Sequence, residues 1–222
     1  MTESIRIFIG YDGGEGLASL ICQKSIWRRT DHPLQIFLLD QRILRSLGLY
    51  IRDRDPRAST EFTYTRFLVP ALCGYQGWAL FVDADFLFQA DISELWALRD
   101  SRYAVQVVKH NYQPEETTKM GGIPQAQYPR KNWSSLILWN CGHEASRTLA
   151  LHTINSQSGA YLHRFQWVLD QHIGSLPAAW NHLEPQGVTD QLPKAIHYTM
   201  GIPGIHRGSF NFTSEWEDEV RA

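Results

Sequence analysis

Apolar residues run without interruption through IRIFIG (5–10) and stop at GYDGGEG, the pattern of a strand buried on both faces. In GLASLICQKSIWRRT (16–30), Leu17, Leu20, Ile21 and Ile26 recur at helical spacing, and LQIFLLD (34–40) is strand-like again. Strand, helix, strand is the unit of a parallel sheet. STEFTYTRFLVPALCGYQG (59–77) opens with a Ser/Thr-then-Glu start signal and keeps Phe62, Phe67, Leu68 and Leu72 near one face, which predicts a helix kinked at Pro70. WALFVDADFLF predicts a strand, an acidic turn and a short second strand, and DISELW (91–96) a short helix with Asp91 as N-cap and Glu94 at the capping-box position. YAVQVVK (103–109) and SSLILWN (134–140) read as further strands, HEASRTLALHTIN (143–155) and LHRFQWVLDQHIG (162–174) as helices, the second ended by Gly174. SLPAAWNHLEP is irregular, and a short strand at 194–198 leads into a Gly/Pro-rich loop. Residues 110–133 carry Pro, Gly and charge but no apolar period, the mark of a long functional or mobile loop.

A chain of 222 residues with 43% apolar and 12% aromatic content suits one compact domain with a sizeable core. The formal charge of −2 leaves no basic excess to spread over phosphates, so nucleic acid is not an expected partner. Cys22, Cys73 and Cys141 are odd in number, widely spaced and free of CxxC, which argues against a disulfide framework or a zinc site and fits a cytoplasmic setting. MTESIRIFIGYD shows no secretory core, basic leader or cleavage site, so export is not expected. No stretch approaches the roughly 20 apolar residues of a membrane helix, and any membrane association would be peripheral docking.

In a parallel α/β sheet ligands bind at the carboxyl ends of the strands, where GYD (10–12) and DAD (83–85) both fall. Asp83 and Asp85, one residue apart, share a face and can approach the same hard cation, Mg²⁺ or Mn²⁺. An isolated D-x-D more often only caps a turn, but here the acids are embedded in ALFVDADFLF, where uncompensated charge would be expensive and a metal would offset it.

FTYTRFLVPAL, a short gap and LFVDADFLFQADISELW resemble the Y-x-R and D-x-D segments of glycosyltransferase family 8, retaining GT-A enzymes that use nucleotide-sugar donors. The likeness continues through SSLILWN, DQHIGSLPAAWN (170–181) and HYTMGIPGIH (197–206). It implies an α/β fold of GT-A type: a Rossmann-like, mixed, mostly parallel sheet flanked by helices, in a single domain over 1–222. Residues 1–100 would form the nucleotide- and metal-binding half, and 101–222 the acceptor half with the C-terminal metal and diphosphate loop. By the same resemblance Asp83, Asp85 and His197 would bind the metal, for which a neutral imidazole favours Mn²⁺ over Mg²⁺. Gly10, Tyr11 and Asp12 would line the uridine pocket, with Tyr64, Arg66, Ala84, Ser134 and Ser135 beside the donor. Arg66 faces either the phosphates or the carboxylates, or is a structural ion pair. Asp170 and Gln171, the catalytic candidates, would orient the sugar or support the β-face of its anomeric carbon, or else are surface polar groups of an amphipathic helix. The family tail reads H-x-x-G-x-x-K-P-W, whereas here Gly201 falls one residue late and IPGIHRG has no lysine. His206 or Arg207 would then supply the cation on the leaving group.

The resemblance thus implies metal-dependent transfer of a sugar from a nucleotide diphosphate, a UDP-sugar, to a hydroxyl of a glycan, glycolipid or other acceptor, with retention. Two alternatives stay open: a nucleotide-sugar- or carbohydrate-binding protein of the same fold without turnover, and a D-x-D phosphatase, whose acidic pair would belong on the first strand. Loop 110–133 is expected to be an acceptor-side loop or a lid, and Trp133, Trp139, Trp167 and Trp180 form either an acceptor platform or core packing.

Overall fold

The computed structural model describes residues 3–56, 58–111, 129–189 and 192–222; most of the predicted 110–133 loop lies outside them. Six strands form the central sheet: β1 (Ile5–Gly10), β2 (Leu34–Leu39), β3 (Trp78–Val82), β5 (Val105–Val107), β6 (Leu136–Asn140) and β7 (Ile173–Ser175), in the order β2-β1-β3-β6-β5-β7. β2, β1 and β3 pair in parallel, as do β5 and β7, while β6 runs against both its neighbours. This is the mixed, mostly parallel single-domain sheet expected.

Alternation along the strands fills a core on each face. Ile5, Ile7 and Ile9 of β1, Leu80 and Val82 of β3, and Leu136 and Leu138 of β6 join one cluster with Cys22 and Ile26. Phe8, Ala79, Phe81, Ile137 and Trp139 point the other way, toward Phe62, Phe67 and Tyr198. Trp139, Trp167 and Trp180 are buried, so these three are core rather than platform. Helix α1 (Gly16–Trp27) buries Ala18, Ile21, Cys22, Ser25 and Ile26, leaving the expected core residues Leu17 and Leu20 exposed.

A second sheet, β4 (Phe86–Phe88), β9 (Ala195–His197) and β8 (His182–Leu183), stands beside the first. Antiparallel pairing sets Phe86 opposite His197, and parallel pairing sets Leu183 beside His197. Three distant pieces of sequence meet here.

Several predicted helices are shorter or absent. The span 59–77 contains only a 3-10 turn, Thr65–Leu68, and one α turn, α3 (Val69–Leu72), with Pro70 in its first turn, where a missing N–H costs nothing, instead of at a kink. Asp91 caps α4 (Ile92–Trp96) as expected, accepting from Ser93 N, but the Glu94 carboxylate pairs with Lys194 and closes no capping box. The 143–155 helix breaks at Leu149 and Ala150 into a 3-10 segment, Glu144–Thr148, and α5 (Leu151–Ser156). In place of a 162–174 helix stand α6 (Gly159–His163), a left-handed Phe165, a 3-10 turn at Asp170–His172 and strand β7. Gly174 ends no helix; a Cβ on it would lie 2.5 Å from the Tyr103 ring and 2.7 Å from Gln106. Helices α2 (Gln41–Ser46) and α7 (Thr213–Arg221) were not foreseen; α7 anchors Glu219 between Arg28 and Arg29 at 3.2 and 2.7 Å.

Candidate active site

Asp83 follows Val82 at the carboxyl end of β3, its N–H donated to the Ser135 carbonyl at 2.9 Å. Asp85 precedes Phe86 of β4, and its carbonyl accepts from Tyr198 N at 3.0 Å. His197 closes β9, its ring stacked on Phe86 at 4.4 Å between centroids. A ligand atom from each of Asp83, Asp85 and His197 lies within 4.8 Å of the others. His197 Nε2 stands 3.4 Å from Asp85 Oδ1. Oxygen, oxygen and imidazole nitrogen at this spacing make a donor set for a divalent cation of the Mn²⁺ or Mg²⁺ kind.

Both Asp83 Oδ1 and Asp85 Oδ1 are buried and hydrogen-bonded to nothing, an arrangement that is costly unless a cation satisfies it. The Arg66 guanidinium supplies part of the counter-charge: Nη1 stands 2.9 Å from Asp83 Oδ1 and donates to the Ser134 carbonyl at 2.8 Å. Arg66 is buried between the Phe62 and Phe81 rings. Burial nonetheless prevails over Arg66 and pushes the Asp83 carboxyl up to about 7, with Asp85 adding to the rise and His197 opposing it.

Ser134 and Ser135 sit in a 3-10 turn, Trp133–Ser135, ahead of β6; Ser134 Oγ meets His163 Nδ1 at 2.8 Å, and Ser135 Oγ donates to Asn132 O at 2.7 Å. Ala84 is fully buried between the two acids. Gly10 ends β1 under Phe62, whose ring lies 2.5 Å from where a Cβ would be. The Asp12 carboxylate is engaged by backbone, Oδ1 accepting from Gly14 N at 2.9 Å and Oδ2 from Glu61 N at 3.0 Å. Tyr11 next to it is half-buried with Arg42 6.0 Å over its ring. Asp12 and Tyr64 line a cleft of about 480 Å³ that also includes Arg45, Tyr50 and Arg54. The Tyr64 hydroxyl donates to Asp55, and burial, then that bond, push its pKa up to about 12.

Gly201 takes φ +143°, a conformation that favours glycine. Downstream, His206 Nδ1 accepts from Ile202 N at 3.1 Å, and its Nε2 lies 3.7 Å from Glu15 Oε1. The tail loop therefore meets the loop after β1, while Arg207 beside it is exposed. Asp170 and Gln171 are not drawn into the cluster by any contact described. Both are exposed, Asp170 pairs with Arg130 at 2.6 Å, and the following His172 carbonyl accepts from Ala104 N, at the amino end of β5. Sequence reasoning gave no role to Asn181, whose Oδ1 lies 3.0 Å from His197 Nδ1; its place at the end of DQHIGSLPAAWN was the only signal.

A family model described as glycosyl transferase family 8 matches residues 22–135. Over 207 residues the chain is 52% identical to "Protein CDI" of Arabidopsis thaliana, covering 90% of this chain and 80% of that one. Among solved structures it resembles the bifunctional glycosyltransferase WbbM in its apo form (TM-score 0.71, 15% identity, 99% of this chain and 50% of that chain). It also resembles apo GlyE of Streptococcus pneumoniae TIGR4 (0.66, 15%, 99% and 61%). The galactosyltransferase LgtC in complex with donor and acceptor sugar analogs gives 0.61 at 14% identity over 98% of this chain and 94% of that one. The chain thus spans half of WbbM and 61% of GlyE, and at these identities the structural likeness speaks to the fold.

Proposed function

The chain belongs to glycosyl transferase family 8 and has the GT-A fold of a glycosyltransferase; from that premise we propose that it moves a sugar from a UDP-sugar to a hydroxyl of a glycan, glycolipid or other acceptor, with retention and with Mn²⁺ as cofactor. The observation that carries this reading is the buried cluster of Asp83 and Asp85 oxygens with the His197 imidazole, in which Arg66 pairs with Asp83 alone. GT-A glycosyltransferases generally pair a divalent metal with a nucleotide-sugar donor, and two carboxylates with one imidazole suit Mn²⁺. When bound, the ion would supply Lewis acidity toward the departing diphosphate.

The chain's own residues divide the remaining work. Arg66 tempers the charge of Asp83 and, with Ser134 and Ser135, holds the floor of the site. Gly10 and Ala84 keep that floor close to the donor, Tyr11 offers a face on which the base stacks, and Asp12 and Tyr64 border the nucleoside cleft. In the loop opened by Gly201, Arg207 is the better cation for the leaving diphosphate, since His206 is already committed to Ile202 N and Glu15. Asp170 and Gln171 would orient the sugar, as the resemblance implies. In this reading residues 1–100 serve nucleotide and metal and 101–222 the acceptor. A cytoplasmic location is part of the same reading, supported by three free cysteines. Among the described residues no helix is long and apolar enough to cross a membrane.

The test is UDP release from a panel of UDP-sugars with Mn²⁺, together with Mn²⁺-dependent donor binding. Asp83→Asn and Asp85→Asn should abolish both. Unchanged donor affinity in these variants would remove the site assignment, and donor binding without UDP release for any acceptor or water would leave a binding protein in place of an enzyme.

A further inference from the structure

We infer that Asn181 is a positioning residue for the metal site: it locks His197 as the Nδ1–H tautomer, so that Nε2 presents its lone pair beside Asp83 and Asp85. The inference rests on the metal-site reading above and goes beyond it by naming the residue that prepares the nitrogen ligand.

The direction of each hydrogen bond follows from one fixed point, the Asn132 carbonyl, which can only accept. Ser135 Oγ donates to it at 2.7 Å and has thereby used its only proton. The Asn181 amide reaches both that carbonyl, at 3.3 Å, and Ser135 Oγ, at 2.9 Å. Both are acceptors, so the amide atom facing them is the NH₂. Flipping the amide would set its oxygen against two acceptors. Oδ1 therefore faces His197 Nδ1 at 3.0 Å, and since an amide oxygen cannot donate, Nδ1 must carry the proton.

Burial keeps the relay from exchanging with water: Asn181 is fully buried, and Ser135 and His197 are each 3% exposed. The relay reaches a second ligand as well, because the Ser135 carbonyl accepts the Asp83 N–H at 2.9 Å. Ser135 thus ties Asp83, and through Asn181 also His197, to one turn. Asn132, which starts that turn, takes φ +62°. Partners that fix the far nitrogen of a ligating histidine commonly change metal affinity 10–100-fold when removed.

Two near-isosteric variants isolate the effect. Asn181→Asp and Asn181→Leu both lose the NH₂ donor, but only Asp keeps an acceptor for His197 Nδ1–H. Mn²⁺ affinity, read by electron paramagnetic resonance on the free protein, should fall about 10–100-fold in Asn181→Leu relative to Asn181→Asp. In metal-free, ¹⁵N-histidine-labelled wild type, the imidazole nitrogen shifts of His197 should report a neutral Nδ1–H ring. Should the Leu variant not fold, the wild-type tautomer alone decides. An Nε2–H ring in the wild type, or equal Mn²⁺ affinity in folded Asp and Leu variants, overturns the inference. Asp83→Asn separates the two levels: if it keeps Mn²⁺, the metal-site reading itself falls; if it loses Mn²⁺ while Asn181→Leu binds as Asn181→Asp does, only the role of Asn181 falls.

Discussion

Replacing Arg66 with Met should produce a stability defect that grows with pH and is repaired by Mn²⁺. At 2.9 Å from Asp83 Oδ1, the guanidinium interacts with a carboxylate by about 6 kcal/mol at an effective dielectric of ~20. That is an upper bound, because the variant can protonate Asp83 instead of stranding its charge. Burial already holds this carboxyl at about 7 with Arg66 present, and without Arg66 it must rise further. A carboxyl whose folded pKa is raised contributes stability that is complete below its unfolded pKa and is lost as pH climbs to the folded one. In the wild type that loss ends near pH 7; in Arg66→Met it continues. Below pH 7 the difference between the proteins should be constant, about 2 kcal/mol, from the bonds to Ser134 O and Phe62 O that Met cannot make. Above pH 7 it should widen by about 1.4 kcal/mol per pH unit. Urea unfolding in chelator from pH 6 to 9 measures the slope, and saturating Mn²⁺ should recover most of the high-pH part. A pH-independent difference, or one unmoved by Mn²⁺, would refute the view that Arg66 serves as counter-charge to the acidic pair.

Burial, with Arg66 adding to it, holds the His163 imidazole down at about 3. The unfolded chain therefore binds the extra proton first, and stability should fall as pH drops from about 6.5 toward 3, costing ~2 kcal/mol by pH 5; His163→Gln should flatten that part of the unfolding profile. Gly10→Ala would push a methyl to 2.5 Å from the Phe62 ring, so a loss of about 1–3 kcal/mol is expected by thermal or urea unfolding, together with weaker donor binding. Glu219→Gln leaves the partly exposed Arg28 and Arg29 facing a neutral buried amide and should cost about 1 kcal/mol by the same measurement without altering donor binding.

The strands were legible because burial on both faces leaves a continuous apolar run, as in IRIFIG and LILWN, and a run of that kind depends on no distant partner. The helices at 59–77 and 162–174 misled because aromatic and aliphatic residues at helical spacing also occur in irregular chain packed over a sheet. Phe62, Phe67, Phe165 and Trp167 are buried in one core although no helix of that length presents them. Strand β7 was hidden by its glycine, which there serves close approach to Tyr103.

At the site the difference lies between donor atoms and their supports. The carboxylates announced themselves by charge within an apolar run, and His197 by the resemblance of its segment. Apart from its place at the end of DQHIGSLPAAWN, nothing local distinguishes Asn181 from any other asparagine: the inferred role depends on the parallel pairing of β8 with β9, which lays residues 182–183 beside 196–197 and brings an amide against an imidazole sixteen positions away. The same reasoning sharpens the tail. IPGIHRG offered His206 or Arg207 as the cation, but the fold engages His206 with Ile202 N and faces it to Glu15, so in the proposed reading the duty falls to Arg207. Arg207→Ala should therefore slow UDP release while leaving Mn²⁺ affinity within about twofold, because a charge that stabilises the leaving group acts on the transition state more than on the ground-state complex; His206→Ala should leave UDP release nearly intact, and the reverse ranking in a Mn²⁺-saturated assay would return the role to His206.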